Sequence, residues 1–229
     1  MVEVTTYYLP PTRLIPNSPQ PLIHYKNIIP EGQRRPDLID ERFASNDWNT
    51  QWIFRYGPTQ VSHYHSAIHE CMAVLTGTAT VRFGVADTSP DVEKSTWGGE
   101  FESGGVEIVA HAGDAFVIPA GVSHKTHNTT PAAPFSLLTP GYGRGIVAED
   151  KKAALAQIEL SGFTMIGAYP KNCGNWDFSV GGEDEKNLSS VWNVSKPDKD
   201  PLLGGLSEGL VGLWKDIPLS GRGGILAKI

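Results

Sequence analysis

Three of the chain's seven histidines and one glutamate lie within eight residues, in the run His63-Tyr64-His65-Ser66-Ala67-Ile68-His69-Glu70. Imidazole and carboxylate together are the donors preferred by borderline divalent metals such as Fe, Mn, Ni, Co, Cu and Zn. Calcium and magnesium take oxygen-only shells and are disfavoured. On an extended strand, residues two apart share a face, so His63 and His65 project to one side and Tyr64 to the other. Glu70 is five residues past His65, the wrong parity for one straight strand. A bend in Ser66-Ala67-Ile68 removes the conflict: Glu70 then opens a new strand, with Met72 and Val74 on its face and His69 on the opposite one. A fourth donor is available in "GDAFVIPAGVSHKTHN", residues 113–128. There a Gly-Asp turn, a strand and a Pro-Ala-Gly turn lead into a strand carrying His124, with Val122 and Thr126 on its face and His127 on the other. A lone His-x-His on a strand is more often a solvated polar face than a metal site. Glu70 and His124 are what lift this pair above that reading.

These residues resemble the two signature motifs of the cupins. Gly57, His63, His65, Glu70 and Gly77 fit G-x5-H-x-H-x4-E-x6-G, and Gly113, Pro119, Gly121, His124 and Asn128 fit G-x5-P-x-G-x2-H-x3-N, both without a gap. The segments "IPNSPQPLIHY", "ERFASNDW", "GAYP" at 167–170 and "DPLLGG" are similar to the YjlB-like subgroup. The resemblance implies an all-β fold, a double-stranded β-helix or jelly-roll barrel with N- and C-terminal extensions and a few short helices. It also implies one divalent transition metal ion held by His63, His65, Glu70 and His124. The expected function is a metal-dependent reaction on a small organic molecule, oxygenase-like or isomerase-like. The alternative is a non-catalytic, metal-bearing binding or sensor protein, because fold does not choose between them. Sequence additions at about 86–105 and 136–162 exceed a minimal cupin.

The remaining reactive side chains have plainer readings. His24, His69, His111 and His127 are expected to be structural or surface groups, His69 with the option of orienting a ligand. Cys71 is expected to be a buried apolar thiol, and Cys71 and Cys173 are expected to stay reduced. Asp114 follows a glycine at a hairpin and serves the turn. The motif glycines are turn residues, and no phosphate-cradling or dinucleotide fingerprint occurs. No spacing identifies a general base.

The elements that must position this set follow from composition. A chain of 229 residues with 25 glycines, 17 prolines and few long helical patterns reads as many short strands joined by turns. One structural domain is expected: an arm and short helix at 1–49, a single barrel at 50–170, and an extension at 171–229. Pro36 starts a short helix with Ile39 and Phe43 one turn apart, and residues 148–163 carry the best helical pattern. "PLIHYKNII" is a candidate edge strand, 86–105 a polar excursion, and 171–201 a loop. Leu203, Leu206, Leu210 and Leu213 have near-helical spacing among four glycines. Net charge of −6 argues against nucleic acid or anionic membrane as partner. No apolar run spans a membrane, and the opening residues lack a secretory pattern. A cytoplasmic homodimer is expected, its N-terminal arm covering a sheet edge.

Overall fold

Short β-favouring runs separated by Gly and Pro do become strands. The computed structural model describes residues 2–171, 177–184 and 187–216. Its strands are β1 (Glu3–Tyr7), β2 (Leu22–Lys26), β3 (Trp48–Tyr56), β4 (Glu70–Thr76) and β5 (Thr78–Phe83). They continue as β6 (Val106–His111), β7 (Ala115–Ile118), β8 (His124–Thr130), β9 (Ser136–Leu137) and β10 (Phe163–Pro170). The helices are α1 (Pro36–Ser45), α2 (Val92–Trp97), α3 (Lys151–Ala156), α4 (Leu188–Trp192) and α5 (Leu210–Leu213). A seven-stranded sheet has the order β1-β2-β7-β4-β10-β3-β9, and a three-stranded sheet the order β6-β5-β8. Every ladder is antiparallel. The result is the all-β jelly roll expected, with β1 and β2 prolonging the large sheet beyond β7.

Strand parity explains the core. On β4, Met72 and Val74 face the small sheet and pack with Val81, Phe83, Phe116 and Met165. Cys71, Ala73 and Leu75 face outward, yet they too are buried. Their cover comes from α1 (Ile39, Phe43), α3 (Leu155) and the C-terminal residues Leu202, Leu210 and Trp214. A sheet buried on both faces needs near-continuous apolar strands rather than alternation, and "ECMAVLT" is of that kind. Cys71 is a free, buried thiol, as its face dictates; Cys173 lies outside the described residues.

Four local expectations change, the first being that the segment 171–201, expected as a loop, contains the short helix α4. The excursion at 86–105 contains a helix, α2, whose start is fixed by Asp91 accepting from the backbone N–H groups of Glu93 and Lys94. The pattern at 148–163 gives only six helical residues, capped by Asp150. The chain stops being helical at Gln157, because Ser161-Gly162 must turn it into β10. The leucine series becomes a single helical turn, α5, and Leu206 stays exposed; Gly204 takes φ +61°, and the helix starts only after Gly209. Among the described residues, no helix is long and apolar enough to cross a membrane.

Candidate metal centre

His63 lies on a short extended piece rather than in a full ladder. Its N–H donates to the His124 carbonyl at 3.2 Å, and the His124 N–H returns a bond to the His63 carbonyl at 2.8 Å. This two-way bridge sets the first histidine segment beside the start of β8. The residues just before each histidine are fixed from one place. Ser62 and Ser123 both donate hydroxyl hydrogens to the Val85 carbonyl, at 2.7 and 2.9 Å. The Ser62 N–H also donates to Asp87, 3.0 Å away. Asp87 in turn pairs with the buried ammonium of Lys125 at 2.9 Å. The chain then bends through Ser66-Ala67-Ile68, and Glu70 opens β4. Tyr64 points the opposite way, packed with Ile15 and Ala86 and donating to Asp184.

The outcome is a converging set. One nitrogen each from His63, His65 and His124 lies within 4.8 Å of the others. Glu70 Oε2 is 3.3 Å from His124 Nε2 and 3.5 Å from His65 Nε2. The far ring nitrogens of two histidines are tied back: His63 Nδ1 to the Val61 carbonyl at 3.2 Å, and His65 Nδ1 to the Asp177 carbonyl. Such tethers fix the tautomer with the proton on Nδ1, leaving Nε2 as the lone-pair donor. Glu70 Oε1 accepts from the Tyr169 hydroxyl at 2.6 Å, whereas Oε2 is buried and receives no hydrogen bond. A buried carboxylate oxygen without a donor is costly, and a cation among these four side chains is the natural remedy. The donor set therefore fits a divalent transition metal ion.

The electrostatics agree. Burial alone would raise the Glu70 carboxyl, but the neighbouring imidazoles of His65 and His124, together with the Tyr169 hydroxyl, hold it down at about 2. Burial drives His63 well below the usual histidine range, and the neighbouring imidazoles of His124 and His65 add to the fall. His124 is lowered by burial, against the pull of Glu70. His65 is buried too, yet Glu70 and the bond to Asp177 carry it above its ordinary value. Two neutral imidazoles, a third that favours a proton, and a carboxylate that stays ionised are what a displaced proton and an incoming cation require.

The other histidines stay outside this set. His69 faces away: its Nδ1 accepts from the Ala120 N–H at 2.9 Å, and its ring packs against Trp214. Burial lowers its pKa to about 4. His127 lies 3.3 Å from Glu107, and His24 is 3.3 Å from Asp114, which also accepts from the N–H groups of Asn27 and His111. Asp114 thus serves its turn.

Three contributors escaped the sequence reading. Tyr169 reaches the centre from β10, its hydroxyl 3.2 Å from His65 Nε2 as well as bonded to Glu70. Parity from Phe163 and Met165 through Gly167 placed it on the inner face, a usable signal. Gly167 itself leaves room for the Trp52 indole, which a Cβ there would overlap. Asp177 holds the bend, its carboxylate accepting from the N–H groups of Ser66 and Ala67. Phe178 stacks on His63, centroids 4.3 Å apart at 14°. The centre forms the floor of a cavity of about 190 Å³, walled by Trp52, Phe54, Tyr56, Phe135 and Phe178.

The chain is similar in sequence to known proteins. A cupin domain profile matches residues 98–140, the stretch holding the second motif. Uncharacterized protein YjlB of Bacillus subtilis (strain 168) is 28% identical over 215 residues, covering 93% of this chain and 97% of that protein. Among solved structures, the Lactobacillus farciminis oxalate decarboxylase formate complex is 13% identical, covers 57% of this chain and 27% of its own, and has a TM-score of 0.29. Vicilin from Capsicum annuum is 14% identical, with 69% and 30% covered and a TM-score of 0.27. The chain spans less than a third of the length of each of these two structures. The fold is a cupin fold, and the chain resembles YjlB over nearly its whole length.

Proposed function

We propose that this cupin-fold protein is a metal-dependent enzyme acting on a small organic molecule, with His63, His65, His124 and Glu70 as the protein ligands of one divalent transition ion. One observation carries the proposal: three imidazoles converge on one another, and two of them lie 3.3 and 3.5 Å from a buried carboxylate oxygen that accepts no hydrogen bond, in the lining of a cavity. When bound, such an ion polarises an oxygen ligand and makes it acidic or electrophilic, which serves oxygenase-like or isomerase-like chemistry alike. The chain's own residues do the rest. The Val61 and Asp177 carbonyls aim the imidazoles, Tyr169 holds the second oxygen of Glu70, and the aromatic walls limit water.

The test is elemental analysis of the purified protein beside single alanine variants at the four positions. One ion per chain is expected in the wild type, with the bound fraction falling by at least about tenfold in His124→Ala. A wild type that takes up no Fe, Mn, Ni, Co, Cu or Zn from a buffered supply would overturn the reading.

A further inference from the structure

The cavity above the centre has walls of one kind. Phe54 and Phe135 stack at 5.1 Å and 24°, and Phe178 lies flat on His63. Trp52 and Tyr56 complete the aromatic lining; besides His63, His65, Glu70, His124 and Tyr169, the polar groups that the described lining residues offer are the Gln60 amide, the Tyr56 hydroxyl and the Trp52 indole N–H. No lysine or arginine is among the described residues that line it. A dicarboxylate or a phosphate ester would leave charge against hydrocarbon with no cationic side chain to meet it, an expensive arrangement. A flat apolar ring would instead meet aromatic side chains around the cavity and gain contact with them. Size agrees, since an apolar cavity of about 150 Å³ holds one benzene ring, and about 190 Å³ adds room for a small substituent. Phe135 and Phe178 are also more than half exposed, at 58% and 55%, so both rings can be reached from solvent.

We infer that the substrate is a planar monocyclic aromatic compound carrying an oxygen donor on one edge, its ring held between Trp52, Phe135 and Phe178 and its oxygen edge directed at the His63–His65–His124–Glu70 floor. The inference rests on the metal reading only for the direction in which the oxygen edge points; the ring site stands on the walls alone.

The experiment compares benzohydroxamate with acetohydroxamate, which share a chelating head and differ in the ring. Binding is followed by quenching of tryptophan fluorescence in metal-free protein and by the visible spectrum of Co(II)-loaded protein. Benzohydroxamate is expected to bind at least about tenfold more tightly than acetohydroxamate. Phe178→Ala should reduce that preference by about fivefold. Trp52→Phe should remove most of the quench. Equal affinities for the two probes in the wild type, or a preference that Phe178→Ala leaves intact, would overturn the aromatic class. A protein that takes no Co(II) but still prefers benzohydroxamate keeps the aromatic site and loses the metal reading. A Co(II)-loaded protein that treats the probes alike does the reverse.

Discussion

Tyr169 donates its hydroxyl hydrogen to one oxygen of Glu70, so the carboxylate presents only the other to the three histidines. Burial and the adjacent carboxylate both push the tyrosine far above its ordinary pKa, so it remains a donor at any working pH. Tyr169→Phe removes that donor and leaves a second oxygen of a buried carboxylate unbonded. The metal-free variant should lose about 1–3 kcal/mol in urea denaturation, while metal stoichiometry stays at the wild-type value because no proposed ligand is changed. A variant as stable as the wild type would show that the bond contributes nothing net. At this scale the sequence was legible where spacing is short. His63, His65 and Glu70 could be placed by parity within one hairpin, and the second motif led to His124. Asp177 and Phe178 could not be found that way. They reach His65 and His63 from more than 110 residues along the chain, on an irregular segment whose path is set by hydrogen bonds and has no period to read.

Strands and excursions hold these side chains in place by unequal means. The excursion after β5, read from sequence as a polar interruption, is an anchor for both histidine segments. Asp87 accepts from Ser62 beside His63 and from Lys125 beside His124. Arg82 on β5 grips the far side, donating to the carbonyls of Ser95 and Thr96 and lying over the Phe101 ring at 3.6 Å. Six-residue α2 is too short to display a helical period, which is why the segment read only as a polar interruption. The length of α3 was overread for a related reason: the apolar spacing ran on past the point where the chain must turn into β10. Lys125 has no exposed side-chain surface, so Asp87→Ala strands an uncompensated ammonium and should cost about 3–5 kcal/mol. Asp87→Leu combined with Lys125→Met, which removes both charges, should cost much less. Thermal or urea unfolding of the two variants checks this; equal losses would mean that the ion pair is not what the excursion contributes.

At the scale of the molecule, the two faces of the large sheet have separate tasks. The inner face carries the histidine–carboxylate cluster and the aromatic walls. The outer face is sealed by α1, α3 and the C-terminal residues, where buried Asp200 accepts from Tyr25 and from the N–H groups of Leu202, Leu203 and Leu210. The jelly roll itself was legible because strand runs and turn residues recur along the whole barrel. The way 199–214 clamps the outer face was not, since it depends on single polar anchors such as Asp200. With so much apolar surface on both faces, the fold should stand without a metal ion, and an ion bound at the proposed site should add stability by mass action. Protons set the range over which it does. In metal-free protein, His69 titrates near 4, and His63 and His124 are also lowered, against about 6.5 in the open chain. The unfolded chain therefore binds more protons as pH falls from about 6.5 towards 4, and these three groups withdraw stability across that window. Glu70, at about 2 when folded, withdraws more as pH falls below about 4.5. His65 acts in the opposite sense: its raised pKa contributes stability below about 6.5 that is lost as pH rises through the folded value. Metal-free protein should thus melt at progressively lower temperature from pH 7 to pH 4. The metal-loaded protein should melt higher at pH 7 and lose that increment over the same window, as protons displace the ion from the imidazoles. His124→Ala should remove most of the increment at pH 7 and still unfold cooperatively. Melting curves with and without chelator at pH 7 and pH 5, for wild type and variant, measure all of this. A wild-type curve at pH 7 that chelator leaves in place, with metal removal verified, would mean that the ion and the fold are not coupled through this site.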